Sequence, residues 1–305
     1  MAFQLKANEP VAAGVTRNVR RQLEKALEFA GASRKQPAEV SNEEAVFEVR
    51  KCFKRVRAAL RLVRKELGDD LYHQENFCFR DAARPLTKIR DAHVLVETAD
   101  KLKPEAVSVI DSKAFGKIRA ALVLNEQEVT RRVLQQNHAF AAVKDILIRA
   151  LAGLSDWRLT GDGWAAAEPG LRRVYRTAHR ALALAAENPT WENLHEWRKQ
   201  TKYLWHELQL LEWMLPEKER ALIAETHKVA TILGEDHDLA VLRLTLAADP
   251  LAYGGHPLLK NLFTVIDRRR RELEHQAFAL GRAIYQDSPK DFIGRMGAAA
   301  NCGAV

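Results

Sequence analysis

Two stretches of this chain repeat each other at long range, and that recurrence constrains the fold more than any other feature. The segment AVFEVRKCFKRVRAALRLVR (45–64) aligns with NLHEWRKQTKYLWHELQLLE (193–212), setting Glu48, Arg50, Lys51 and Lys54 against Glu196, Arg198, Lys199 and Lys202. Further along, in the same order and at nearly the same spacing, LTKIRDAHVL (86–95) aligns with LGEDHDLAVL (233–242), setting Leu86, Asp91, Val94 and Leu95 against Leu233, Asp238, Val241 and Leu242. Arg50 and Arg198 stand 148 positions apart, far beyond the ~20 to 50 residues of a solenoid repeat. The expectation is a duplication of one whole folding unit.

The unit is helical. Val49, Phe53, Val56, Leu60, Val63 and Leu67 follow the i, i+4, i+7, i+11 rule, as do Leu204, Leu208, Leu211 and Leu215, and no convincing period-2 strand occurs. Breakers at Gly31 to Pro37, Gly68 to Asp70, Lys103 to Glu105, Gly153 to Gly170, Asn188 to Pro189, Pro216 and Asp249 to Pro257 divide the chain into about eight helical segments. The predicted fold class is therefore all-α, two pseudo-symmetric four-helix bundles made by a duplicated helical repeat and forming one domain over residues 1–305. The first repeat is placed at 14–152 and the second at 170–292. The Gly-, Asp- and Pro-bearing stretch 153–169 is read as the linker between them.

Lys and Arg outnumber Asp and Glu by 48 to 40, giving a formal charge of +8, which favours polyanionic partners such as nucleic acid, phosphate polymers or an anionic surface. Cys52, Cys78 and Cys302 fall in no metal-ligand or redox spacing, and Cys52 and Cys78 read as buried helix residues. The N-terminal MAFQLKANEP has no basic segment followed by an apolar one, and no stretch approaches the roughly 20 apolar residues of a membrane span. A soluble, cytoplasmic protein with no membrane insertion is expected.

The positive charge is organised. Arg50, Lys54, Arg57, Arg61 and Arg64 recur at helical spacing and would form one stripe about 21 Å long beside the apolar stripe. Like charges at i, i+4 oppose the helix by ~0.2 to 0.5 kcal/mol per pair, so the pattern calls for a facing polyanion or facing carboxylates. The matching helix of the second half carries His195, Arg198, Lys202, Trp205 and Gln209 on this stripe, with Lys199 and Tyr203 on its flank. The first helix of each half adds Arg17, Arg20, Arg21 and Lys25, then Arg172, Arg173, Arg176, His179 and Arg180. Four such helices could line one groove, where guanidinium forks and ammonium groups suit repeating phosphate oxygens.

Other chemistries find less support. His195, His227 and His237 lie near Glu196, Glu235, Asp236 and Asp238, yet LHEWRK lacks the second His of a zincin motif and GEDHDLAVL lacks the ligand alternation of a calcium loop. No metal and no cofactor is expected. The segment RDAARPLTKIRD reads as inter-helix ion pairing, with Asp81 and Asp91 orienting Arg84 and Arg90, and the run Arg268 to Arg271 as a salt-bridged face. No P-loop, Rossmann glycine pattern or nucleophile motif is present, and the tryptophans of the second half fall at helical intervals suited to core packing.

HEWRKQTKYLWHELQLL followed by LGEDHDLAVL, RRRRELEHQAFALGRAIY near the end, and the earlier FEVRKCFKRVRAALRLVR and KIRDAHVLV resemble the CHAD family, the conserved histidine α-helical domains, over Val15 to Phe292. The resemblance implies two four-helix bundles related by a pseudo-twofold, non-enzymatic binding of inorganic polyphosphate through a central basic surface, and association with polyphosphate granules. Carried onto matching positions it implies binding by Arg50, Lys51, Lys54 and Arg57, and by His195, Arg198, Lys199 and Lys202. The stripe and first-helix cations add Arg17, Arg20, Arg21, Arg61, Arg173 and Arg176, and the RDAARPLTKIRD segment adds Arg90. Phe47 stands where the family commonly has its first histidine, and Trp205 and Glu212 interrupt the second stripe. The alternatives are a nucleic-acid-binding protein using the same basic face and a metal-dependent phosphohydrolase built on the His and Asp residues.

Overall fold

The computed structural model describes residues 3–7, 9–32 and 40–298, and part of the Gly31 to Pro37 break lies outside them. Its described residues are helical with no strand, as the periodicity requires. Nine helices of 15 residues or more carry the architecture: α1 (Val11–Ala32), α2 (Asn42–Leu62), α4 (Asp69–Ala106), α5 (Ser112–Thr130), α6 (Ala139–Gly153), α7 (Gly163–Glu187), α8 (Trp191–Leu210), α9 (Ala221–Ala248) and α10 (His256–Ile284). Two short ones, α3 (Arg64–Leu67) and α11 (Pro289–Met296), complete the set.

Local chemistry sets the helix ends. Ser41 accepts from the Glu44 amide at 3.1 Å ahead of α2, Asp111 from the Lys113 and Ala114 amides ahead of α5, and Thr190 from the Asn193 amide ahead of α8. Asp162 serves two helices, its Oδ1 accepting from Gly163 at the start of α7 and from Val11 at the start of α1. Gly68, at φ +78°, makes the turn between α3 and α4 in a conformation L side chains avoid.

Packing follows the same order in both halves of the chain. In the first, α1 lies on α2, α2 on α4 and α4 on α5, with α6 closing onto α1. In the second, α7 lies on α8, α8 on α9 and α9 on α10. The halves meet where α2 crosses α8 and α7, and where α4 crosses α9. One continuous apolar core runs through both, with Phe53, Phe79, Tyr175, Trp197 and Phe292 among its largest fully buried side chains. The N-terminal segment joins it: Phe3 and Leu5 are buried, and the Leu5 amide donates to the Leu210 carbonyl at 2.9 Å.

Several local readings are corrected. The breaker-rich stretch after Gly153 is helical from Gly163 onward, because Asp162 caps α7 and Pro169 is accommodated inside it. Lys103 to Glu105 belongs to α4, which carries both Pro85 and Pro104 within its 38 residues. A break with no Gly or Pro separates α5 from α6: a π-turn at Arg131–Gln136, then His138 in the left-handed region at φ 49°. Arg64 drops out of the basic stripe because α2 ends at Leu62. Cys52 is buried, but Cys78 is exposed, since the inward face of α4 there runs through Tyr72, Asn76, Phe79 and Ala82.

The halves approach closely at Gly170 of α7, where a Cβ would stand 2.0 Å from the Leu62 carbonyl oxygen of α2. Backbone meets backbone, so no side chain can yield. Gly170→Ala should destabilise the protein by about 3 kcal/mol or more, beyond ordinary overpacking. Gly116→Ala, which meets nothing within 4 Å in the interior of α5, should stabilise it by up to about 1 kcal/mol. Denaturant unfolding of the two variants checks both signs.

Candidate functional site

The crossing of α2 with α8 and of α4 with α9 brings the aligned motif residues of the two halves together. Arg50 and Lys54 project from α2, Arg90 and Asp91 from α4, Arg198 and Lys202 from α8, and Asp238 from α9, and their charges act on one another across the junction. Five cations therefore face two aspartates. Among the described residues none of the five is ion-paired to Asp91 or Asp238. Arg90 pairs instead with Glu97, Nη1 to Oε2 at 2.9 Å, which corrects the expected Asp91–Arg90 pairing. Asp81 does hold Arg84 at 2.8 Å, together with Arg80 at 3.0 Å.

Arg50, Arg198 and Lys54 are held by geometry rather than by counter-charge. Arg50 Nη1 donates to the Thr87 hydroxyl on α4. Arg198 lies against the α9 backbone at Gly234, where a Cβ would sit 3.5 Å from its Nε, and that buried nitrogen has no hydrogen-bond partner. Lys54 is exposed and lines a concavity between α2 and α4.

Withdrawal from bulk water lowers the proton affinity of Lys54 well below the ordinary lysine range, and Lys202, Arg50, Arg198 and Arg90 push it further. Desolvation and Arg198 bring Lys202 down to about 8, against the pull of Asp238. Desolvation also raises both aspartates, an effect the surrounding cations oppose.

The histidines form a neutral flank. His195 Nδ1 lies 3.2 Å from His237 Nδ1, with ring centroids 4.4 Å apart and Trp191 stacked on His237 at 6.2 Å. Burial, then Arg198, lowers both, His237 to about 3, so the pair shares a hydrogen bond between uncharged rings at neutral pH. The motif alignment sets Phe47 at the place of His195, and one step before Asp91 and Asp238 it sets Arg90 at the place of His237. There the Arg90 guanidinium lies over the Phe47 ring at 5.5 Å. The missing first-half histidine is thus matched by a cation–π pair. No three His, Cys, Asp or Glu side chains gather with metal-ligand geometry among the described residues.

The remaining stripe residues continue the site along α2. Arg57 Nε donates to the Asn76 side chain at 3.0 Å, and Arg61 lies over the Tyr203 ring at 3.8 Å while donating to the Arg57 carbonyl. Other expected residues are engaged elsewhere. Lys51 pairs with Glu48 at 3.0 Å, Lys199 pairs with Glu196, and Arg17 is held by Glu9 at 2.6 Å and by the Gln4 carbonyl. Arg20 and Arg21 lie on α1 and Arg173 and Arg176 on α7, and none is among the charges acting on the cluster.

The second pair of helices lining the junction is thus α4 and α9, in place of α1 and α7. In the run Arg268 to Arg271, Arg270 is a largely buried cross-link, bonded to Asp236 at 2.8 Å and to Glu274, while Arg268 reaches Glu105 at 3.0 Å.

Sequence reasoning passed over Arg80 and Lys88. Both line, with Arg50, Lys54, Arg57 and Arg84, a cleft of about 440 Å³ between α2 and α4. Their spacing on α4 toward Asp91 was the available signal.

Comparison with known proteins agrees with this architecture. The crystal structure of the CHAD domain from the plant Ricinus communis superposes with a TM-score of 0.60 at 17% identity, over 94% of this chain and 96% of that one. None of the curated proteins searched matches the chain. The CHAD domain family model matches residues 17–247, a span that contains both copies of the motif and every cation of the junction, and the chain belongs to the CHAD domain family.

Proposed function

We propose that this protein binds inorganic polyphosphate, without catalysing a reaction on it, through the cationic junction of α2, α4, α8 and α9. Polyphosphate binding is the known activity of the family. The observation that carries the reading to these residues is the charge imbalance: Arg50, Lys54, Arg90, Arg198 and Lys202 against Asp91 and Asp238, with no ion pair between the two sets among the described residues. Of the five only Arg90 has a counter-charge, Glu97; clustered cations without one lower the protein's own stability, and a polyanion supplies the missing charge through charge-assisted hydrogen bonds.

On this reading the chain is one domain built from two copies of a four-helix unit, and the duplication places equivalent cations on both sides of one ligand. The nearly equal spacing of the motif pairs and the parallel packing order support it. His195 and His237, uncharged and adjacent, donate or accept hydrogen bonds at the rim. The proposed setting is the cytoplasm, on polyphosphate granules; no described helix is long and apolar enough to cross a membrane.

Charge reversal at the centre tests the site. Arg50→Glu with Lys54→Glu should abolish binding of long-chain polyphosphate in calorimetric titration while circular dichroism shows the helices intact. Duplex DNA of equal charge competing as well as polyphosphate would favour the nucleic-acid reading instead, and phosphate release that stops with chelator would favour a hydrolase.

The lysines add a pH dependence. The free protein's Lys202, at about 8, is increasingly neutral above that pH, whereas the bound form needs it charged. Affinity should therefore weaken as pH rises from 7 to 9, with proton uptake on binding, and Lys54→Arg with Lys202→Arg should remove both effects. Calorimetry in buffers of different ionisation enthalpy measures the uptake directly.

A further inference from the structure

The two halves are alike at the junction and unlike immediately beyond it. Moving away from the junction along α2 and α4, the cleft of about 440 Å³ is lined by Arg50, Lys54, Arg57, Arg80, Arg84 and Lys88, and by no carboxylate. Lys88 and Arg84 are exposed. Asp81 pairs with Arg80 and Arg84, one carboxylate against the six cations of the cleft. The three α4 cations cover about 12 Å of helix from Arg80 to Lys88, and Arg57 faces them from α2 with only a neutral partner, Asn76.

Continuing the motif offsets along α8 and α9, the equivalent positions in the second half are Arg198, Lys202, Trp205, His227, Thr231 and Glu235. Four of the six cations are gone and one has become an acid. The Trp205 and His227 rings, at the places of Arg57 and Arg80, stack on each other at 4.1 Å and 24°, so that paired rings stand where the first half has cations. Trp205 also stacks on the buried His206 at 4.4 Å, so this plug is anchored in the core. Burial lowers the proton affinity of His227, with Lys202 adding to it.

We infer that the ligand path is one-sided: a linear condensed phosphate engaged at the junction leaves along the α2–α4 cleft, where Arg57, Arg80, Arg84 and Lys88 form an extended subsite, and is stopped on the other side by the Trp205–His227 stack. This rests on the proposed polyphosphate reading and adds its direction. The cleft cations touch only chains long enough to extend past the junction. They set the preference for long over short chains.

The test is calorimetric titration of the full chain with tripolyphosphate and, separately, with long-chain polyphosphate at physiological salt. Arg84→Glu with Lys88→Glu should weaken the long-chain complex by about 100-fold, tenfold per charge-assisted contact. It should change tripolyphosphate affinity less than about threefold, since the short anion needs only the junction. The neutral pair Arg84→Gln with Lys88→Gln should show the same length-dependent pattern with a smaller loss, which guards against a folding defect from reversed charge.

A charge-matched control on the second half, Lys260→Glu with Arg271→Glu, should leave the length dependence intact. Equal losses for short and long chains, or equal losses in the control, would reduce the cleft to general electrostatics and overturn the one-sided path. Failure of the unaltered protein to bind either phosphate would instead remove the polyphosphate reading itself.

Discussion

Repulsion among four clustered cations, Arg50, Lys54, Arg198 and Lys202, at the crossing of α2, α4, α8 and α9 is the constraint around which the molecule is organised. A like-charge pair 4 Å apart costs about 4 kcal/mol at the effective dielectric near a protein surface, so the surrounding helices must hold these side chains against their mutual force. They do so with rigid parts. The α2 backbone is pinned to α7 at Gly170, α8 is anchored by the fully buried Trp197 stacked on Phe278, and Arg50 and Arg198 are steered by Thr87 and by the bare backbone of Gly234. The apolar core, continuous through both halves, opposes the electrostatic cost.

On the proposed reading that balance ties stability to ligand. Charges left unpaired in the free protein would gain partners when an anion arrives, and binding would contribute stability that the fold by itself lacks. The lowered proton affinities of Lys54 and Lys202 express the same stress from the proton's side. Elsewhere the molecule neutralises charge in the ordinary way, as in Arg17–Glu9, Lys51–Glu48 and Arg270–Asp236. The contrast between this paired periphery and the unpaired Arg50, Lys54, Arg198 and Lys202 is what supports the proposed site.

Much of this was legible in the sequence because it depends on local period and on residue identity. Helical spacing around Val49 to Leu60 named the class, and the recurrence of Arg50 and Lys54 at Arg198 and Lys202 named the residues that meet. What escaped was set by tertiary packing. Nothing in RRVLQQNH announces the π-turn and the left-handed His138 that divide α5 from α6. The basic faces of α1 and α7 carry the same spacing as that of α2, and only packing shows that α4 and α9 line the junction in their place. Arg90 turns to Glu97 rather than to its sequence neighbour Asp91 because the two side chains leave α4 about 100° apart. The loss of the first-half histidine, alarming in the alignment, becomes intelligible once Phe47 is seen beneath Arg90.

The central claim is that Arg50, Lys54, Arg198 and Lys202 stand without an ion pair for an anion and are not structural partners of the fold. Thermal unfolding of Lys54→Met with Lys202→Met, with and without long-chain polyphosphate, tests it most directly. The account predicts a midpoint above that of the unaltered protein without ligand, by about 2 °C for each kcal/mol of repulsion removed, and no further rise when polyphosphate is added. A midpoint that falls without ligand would contradict it, because the lysines would then be bonded parts of the native structure.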